Sequence, residues 1–581
     1  MNPETKNCQN CKQGFTIESD DFAFYEKIKV PAPTFCSQCR IQRRMAWRNG
    51  WHIFKRKEDR EGKDVFSLFP QESPVKVYER DFWWSDGWDA MPYAKEYDFS
   101  KPFFNQLHEL LSVVPLPQGS IINFVNCRYC TNGADLKNCY FVRAATFTED
   151  SSYVIWDTKS RHCLDSHMTK NCELGYGNIN CENCYQTFFS VDCSDCQETI
   201  LSKDCIGCNN VFGCVGLRRA SYQIFNQQYT KEEYDKKLQE FDIASWKNFE
   251  NLRQQADDTW RTFPHKYMHG LHNLSSSGDY IYDSKNAQFG YRARGVENGK
   301  WVQNIIDGPV KDCYDQTSFG EGVELGYETL IAGRGAFNVK FSVNVYTNVK
   351  DISYSFFCHS SSNLFACVGL RNKQYCILNQ QYTKEEYERL VPKVIEHMNA
   401  MPYIDKKGRV YKYGEFFPLE MSYFPYNISE ANEFFPLSEE KIKEEGFQSF
   451  SVDTQEHQFT KASADLPDNI KDVDEKITEE VIECAHQKKC DQECTGAFRV
   501  IPSEVSFLKR MNLPLPRLCP NCRQYERLKQ RNPLKLWHRQ CMCSKNHPQH
   551  AGNCLNEFET SYSPDRPEII YCEACYQNEV V

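Results

Sequence analysis

Residues 213–234 read GCVGLRRASYQIFNQQYTKEEY, and residues 366–387 read ACVGLRNKQYCILNQQYTKEEY. The stretches lie 153 positions apart and agree at most of them, so the chain carries an internal duplication. Upstream, ELGYGN at 173–178 returns as ELGYET at 324–329. Cys163, Cys205 and Cys214 align with Cys313, Cys358 and Cys367. The whole segment before NQQYTKEEY is therefore duplicated.

In the first copy, NCENCYQTFFSV, DCSDCQETILSK and DCIGCNNVFG step by 12 residues. Each holds a strand-like piece (YQTFF, ETIL, NVF) and a polar corner. Two such units are expected to make one coil of about 22 residues, and stacked coils bury one another. The expected fold class is multidomain and mainly β: two Cys- and Tyr-rich parallel β-solenoid modules with capping helices, flanked by treble-clef or zinc-ribbon fingers. Cys is small and commonly buried, so a Cys ladder suits a narrow interior. The second copy keeps only Cys313, Cys358, Cys367 and Cys376, and Cys208 aligns with Ser361. A module that keeps its pattern while losing thiols uses them for packing. Metal ligation by Cys181/Cys184, Cys193/Cys196 and Cys205/Cys208 is the alternative. Thr230 with Glu233, and Thr383 with Glu386, form capping boxes that start helices. The first helix is expected to run on to Trp260; the second covers 384–398 with a break at Pro392.

The ends carry a different chemistry. Cys8-x2-Cys11 and Cys36-x2-Cys39 are two knuckles 24 residues apart, four thiolates for a closed tetrahedral Zn²⁺ site. The second knuckle leads into RIQRRMAWRN, a basic helix on which Arg40, Arg43, Arg44 and Arg48 share a face. With an offset of 483 the pattern returns. Cys490, Cys494, Cys519 and Cys522 are the expected ligands there, with Cys484 or His486 as competitors. Arg523, Arg527, Lys529 and Arg531 form the matching basic helix. A third unit is read from Cys543, Cys554, Cys572 and Cys575; Cys541, His547 and His550 are rival candidates for the first of these positions. Arg faces beside metal knuckles suit phosphate contacts, or pairing with the chain's own acidic middle.

Thirty Cys without a legible export signal point to a reducing cytoplasm. No run of about 18 apolar residues reads as a membrane span. Residues 1–60 hold 12 Lys+Arg against 7 Asp+Glu, and residues 485–545 hold 13 against 4. The net charge of −10 thus conceals basic ends and an acidic middle.

LPLPRLCPNCRQYERLKQRNPLKLWHRQCMC and NEFETSYSPDRPEIIYCEACYQNEV, with the FGCVGLR…NQQYTKEEY module, resemble uncharacterised multi-zinc-finger proteins of candidate phyla radiation bacteria. Similar sequences sometimes carry a CoA-transferase (CaiB/BaiF) label; no residue here supports that chemistry.

The expected organisation is a treble-clef finger at 1–60, an aromatic-rich capping segment at 61–125 built on Trp83, Trp84 and Trp88, and solenoid copy A at 126–229. A capping helix at 230–275, copy B at 276–382, a second capping helix at 383–402 and an acidic, partly ordered connector at 403–475 follow. A second finger at 476–540 and a zinc ribbon at 541–581 close the chain. About three Zn²⁺ ions are expected. The leading functional expectation is nucleic-acid binding through the basic finger helices. A protein-interaction scaffold is the second. A β-solenoid enzyme using Asp312, Asp315 or Glu324 ranks last, because no nucleophile–base pair or open metal site is legible. No catalytic residue is assigned, and the oligomeric state is open.

Overall fold

The computed structural model describes residues 2–305, 308–451 and 458–580. It is a mixed, sheet-rich chain with twelve α-helices among the described residues. None of these helices is long and apolar enough to cross a membrane.

In copy A, each pairing residue bonds in parallel to the residue 12 further on, from Val125↔Lys137 to Ile206↔Arg218. The strands Tyr185–Phe188, Gln197–Ile200, Asn209–Phe212 and Ser221–Ile224 continue this ladder. One 12-residue beat is therefore a complete repeat, which corrects the expected two-beat coil. The reason is a finer period of three. At almost every third residue from Asn123 to Phe225 the backbone takes positive φ. The next residue points inward and the one after it pairs with its neighbour. In CVGLR, Cys214 is buried, Val215 pairs with Lys203, and Gly216 turns at φ 69°. Left-handed corners favour Gly, Asn and Asp. Each N-C or D-C dipeptide is thus a corner followed by an inward thiol. Corner amides also chain together: Asn126 Nδ2 donates to Asn138 Oδ1 at 2.9 Å, and Asn138 Nδ2 to Asp150 Oδ1 at 2.9 Å.

The inward column is small: Cys130, Cys139, Cys163, Cys172, Cys181, Cys184, Cys193, Cys196, Cys205, Cys208 and Cys214 form one cluster with Val142, Val154 and Val211. Their thiols make weak contacts to backbone carbonyls, such as Cys172 Sγ to Cys181 O at 3.3 Å. Burial pushes the Cys214 thiol up to about 12. Among the described residues, none of these Cys joins a group of three or more metal-type donors.

Copy B builds the same kind of ladder, with offsets of 12 at both ends (Gly278↔Gly290, Lys350↔Ser362) and 13 to 14 between (Val310↔Val323, Val296↔Val310). Its longest strands are Val323–Gly333 and Ala336–Tyr346.

Both ladders end in the same way, which explains the repeated NQQYTKEEY. The Asn379 side-chain amide accepts from Val368 N and donates to Val368 O, both at 2.8 Å, and so replaces the backbone of a missing next turn. Asn226 does the same to Val215, again at 2.8 Å twice. Gln227–Gln228 and Gln380–Gln381 then fold back antiparallel on the last strand. Thr230 and Thr383 open helices Lys231–Phe241 and Lys384–Ala400 through complete capping boxes. The terminal edge, which would otherwise template aggregation, is closed. Asn379 is fully buried. Asn379→Ala strands a buried N–H and C=O together, an expected cost of about 3 kcal/mol in equilibrium denaturation. A loss below about 1 kcal/mol would remove this role.

Three other expectations change. The first helix stops at Phe241, Asp242 turns left-handed at φ 42°, and a second helix covers Trp246–Thr262. Pro392 does not break the helix Lys384–Ala400. The connector is packed, not loose: Tyr411, Phe416, Phe417, Tyr423, Phe424 and Tyr426 are all buried. Residues 452–457 of it lie outside the described residues. Between residues 473 and 484 the chain forms the 3-10 turn Glu475–Thr478 and the short strand Ile482–Glu483. Trp83 is buried and its indole donates to Pro115 O at 2.8 Å. Trp84 packs on His359 with ring centres 4.7 Å apart, so the Trp cluster covers the last turns of copy B.

The apolar interior crosses the sequence order. One core joins the N-terminal unit to copy B and the connector; a second joins copy A, the helices after it and the 466–522 region.

Candidate metal centres

Three groups of four thiols assemble, and one local design produces each. A strand runs directly into the first Cys: Glu4–Asn7 before Cys8, Ile482–Glu483 before Cys484, Trp537–Gln540 before Cys541. The antiparallel partner strand begins three residues after the second Cys: Gly14 after Cys11, Ala497 after Cys494, Glu557 after Cys554. The third Cys is the N-cap of a helix (Cys36, Cys519, Cys572), and the fourth lies in its first turn (Cys39, Cys522, Cys575). The same hydrogen bond recurs each time. The third Cys donates its backbone N–H to the first sulfur: Cys36 N to Cys8 Sγ 3.3 Å, Cys519 N to Cys484 Sγ 3.2 Å, Cys572 N to Cys541 Sγ 3.3 Å.

The groups are Cys8/Cys11/Cys36/Cys39, Cys484/Cys494/Cys519/Cys522 and Cys541/Cys554/Cys572/Cys575, with all sulfurs of a group within 4.8 Å of one another. A tetrahedral Zn–S site has sulfur–sulfur edges of about 3.8 Å. Cys11–Cys36 is 3.7 Å, Cys484–Cys522 3.8 Å and Cys554–Cys572 4.0 Å. In the first two groups one thiol is held far below its ordinary range by hydrogen bonds from its neighbours: Cys8 by Cys36 and Cys39, Cys519 by Cys484 and Cys522. A divalent cation would let the remaining thiols ionise as well.

The first group matches the sequence expectation. In the second, Cys484 occupies the first position, and Cys490 instead lies with His486 and Cys522. In the third, Cys541 occupies that position, and Cys543 lies with His547, His550 and Cys575. Spacing favoured Cys490 and Cys543 because it counts residues, whereas the first ligand is set by where the leading strand ends. IEC and RQC, each a strand closed by Cys, carry that signal.

The basic faces meet acids of this chain. On helix Ser37–Met45, Arg40 Nε donates to Asp315 Oδ2 at 2.9 Å, and its guanidinium lies 4.6 Å from the Trp301 ring. Arg43 bridges Glu328 at 2.7 Å and Glu415 at 3.0 Å. Arg44 Nη1 is 2.9 Å from Asp315 and 3.1 Å from Glu328. All three guanidinium groups are buried. Arg48 sits over Trp156, 3.7 Å from Glu430. On helix Pro520–Leu528, Arg523 pairs with Asp165 at 2.6 Å and Glu504 at 2.5 Å, and Arg527 Nη1 is 3.4 Å from Asp165. Arg531 pairs with Glu433 at 2.7 Å. Of the nominated basic residues only Lys529 is largely exposed, pairing with Glu526 at 3.1 Å. Burial would lower the Arg40 pKa, but the Asp315 charge more than restores it, so the group stays cationic.

Arg40 and Arg523 are equivalent under the 483-residue offset. Asp315 and Asp165 are equivalent under the offset of 150 that aligns Cys313 with Cys163. One Arg–Asp contact is therefore made twice, the N-terminal unit docking on copy B and the C-terminal unit on copy A. Asp315 is fully buried. Asp312 pairs with Lys27 at 2.9 Å. Asp312 and Asp315 are thus ion-pair partners of this chain's own cations.

No family model matches the chain, and no curated protein matches it.

His269 marks the junction of copy A, copy B and the third unit. Its Nδ1 is 2.9 Å from Asp279 Oδ1, and Asp279 also accepts from Ser561 and Asn532. Burial alone would lower the imidazole pKa, but Asp279 and Asp192 raise it to about 9. A group raised above its unfolded value near 6.5 stabilises fully below that pH and loses the contribution as pH climbs through 9. Stability should thus fall by up to about 3 kcal/mol between pH 6.5 and 9, and His269→Gln should flatten that slope. Equal slopes in urea titrations of both proteins would refute this.

Proposed function

We propose that this chain is a zinc-stapled protein-interaction scaffold: two β-solenoid modules, each clamped by a treble-clef finger, with a zinc-ribbon unit closing the C-terminus. The observation that carries it is the burial of Arg40, Arg43, Arg44, Arg523 and Arg527 against Asp315, Glu328, Glu415, Asp165 and Glu504. Guanidinium groups spent on internal carboxylates cannot also neutralise phosphates. The 12-residue parallel ladders and their amide-plugged ends support the solenoid reading. All-thiol donor sets with edges near 4 Å support zinc over magnesium or calcium, which take oxygen. The resemblance to multi-zinc-finger proteins belongs to the same proposal.

Nucleic-acid binding is the second reading. It would draw on exposed side chains such as Lys529 instead of the buried arginines. The test is fluorescence anisotropy of single- and double-stranded RNA and DNA with metal-loaded full chain across a salt series, beside affinity purification of tagged chain after nuclease treatment. A defined protein partner without salt-dependent oligonucleotide binding is expected. Tight binding whose salt slope falls in Lys529→Glu would favour the second reading.

A further inference from the structure

The Cys543, His547, His550 and Cys575 group uses a sulfur that the third four-thiol group also uses. We propose that the C-terminal unit holds two divalent soft-metal ions of the zinc class, with Cys575 as a bridging thiolate. One ion takes Cys541, Cys554, Cys572 and Cys575; the other takes Cys543, His547, His550 and Cys575. The inference rests on the zinc reading above and adds a fourth ion to it.

The chain builds this second donor set deliberately. Cys541 and Cys543 flank Met542, whose N–H donates to Ile570 O at 3.0 Å. In an extended segment residues two apart face the same way, so both thiols are buried while Met542 is exposed. His547 and His550 exchange backbone hydrogen bonds, His547 N to His550 O at 2.9 Å and His550 N to His547 O at 3.1 Å. That tight turn presents both rings to the same point, with centroids 5.1 Å apart.

The ring nitrogens are correctly assigned for ligation. His550 Nδ1 lies 2.9 Å from Gly552 O, a contact in which only an N–H can face the carbonyl. Its Nε2 is then the lone-pair nitrogen, and it lies 3.0 Å from Cys575 Sγ. Backbone anchoring of the distal nitrogen is how metal-bound imidazoles are held. His547 Nε2 lies 3.2 Å from Cys543 Sγ, near the S–N edge of about 3.5 Å in a tetrahedral zinc site. Glu579 Oε1 is 3.5 Å from the same nitrogen, while the Glu579 carboxylate is also engaged by Lys545.

Charge favours the pair. One zinc on four thiolates leaves a net charge of −2 in a buried site. A second zinc with one more thiolate and two neutral imidazoles brings the cluster to −1, which lowers the cost of burying it. In the second cluster the equivalent thiol, Cys522, is likewise shared, with His486 and Cys490, but that set has three protein donors and stops short of a closed site.

The test is metal content of the full chain by plasma mass spectrometry, wild type against His547→Ala/His550→Ala. The variant should lose one ion per chain and keep the rest. A ¹¹³Cd-substituted wild type should add a resonance of mixed sulfur–nitrogen type to the all-sulfur ones, with cadmium–cadmium coupling through Cys575. If the variant folds poorly, the wild-type cadmium spectrum decides alone. Equal metal content in the two proteins, or a spectrum of all-sulfur sites only, overturns the binuclear centre and leaves the three-ion reading standing. A wild type without bound metal overturns that reading itself.

Discussion

Stripping the metal from intact chain with a chelator is expected to unfold the three four-thiol units and to take much of the adjoining structure with them. If each four-thiol group holds a metal, that binding would supply folding energy to its unit, about 10 kcal/mol or more per closed site. The first unit shows why the effect spreads. Its helix Ser37–Met45 is held by Cys36 and Cys39 at one end and carries Arg40, Arg43 and Arg44. When the helix unravels, Asp315, Glu328 and Glu415 lose their buried counter-charges together. Copy B should therefore lose stability although none of its described residues joins a candidate metal group. Calorimetry of chelated and loaded chain, with metal content measured on each sample, checks this. An unchanged thermogram after complete metal removal would end the structural-metal account.

Glu328→Ala should be the most damaging single change at the junction. Glu328 is fully buried and faces Arg43 at 2.7 Å and Arg44 at 3.1 Å. Its removal leaves buried guanidinium groups short of a carboxylate, and breaking a buried pair from one side costs about 3–5 kcal/mol. Glu328→Gln keeps the shape but not the charge and should cost less. A double-mutant cycle of Arg40→Ala with Asp315→Ala should show a coupling of about 1–3 kcal/mol. The equivalent Arg523–Asp165 cycle should behave alike, because the same contact is made there. Costs within about 0.5 kcal/mol in all of these would mean that the arginines are solvated in solution and free for other ligands.

A good deal was legible in the sequence. The duplication, the 12-residue beat, the inward Cys column and the two capping boxes all follow from local pattern, because a repeat announces itself in the spacing of like residues. The four thiols of the first candidate centre were legible for the same reason. The period of three was also present, in the N-C and D-C dipeptides, but it is masked wherever corners carry Phe, Tyr or Lys in place of Asn and Asp. Positive φ at Phe141, Tyr153 and Lys159 is imposed by the stacked neighbours, against local preference.

Other features needed the tertiary structure. Cys484 and Cys541 displace Cys490 and Cys543 because a sulfur's position depends on where a strand ends and which backbone N–H it meets. The destination of the arginines depends still more on the tertiary structure. Charge patterning identifies a basic helix face equally well whether it meets a phosphate or a carboxylate 275 residues away, as Arg40 meets Asp315. By itself the sequence determined what repeats and which residues carry metal-type donors, since both are local properties. Only the fold decided that each basic face is sealed against one copy of the duplicated ladder, since burial and pairing are properties of surfaces that meet.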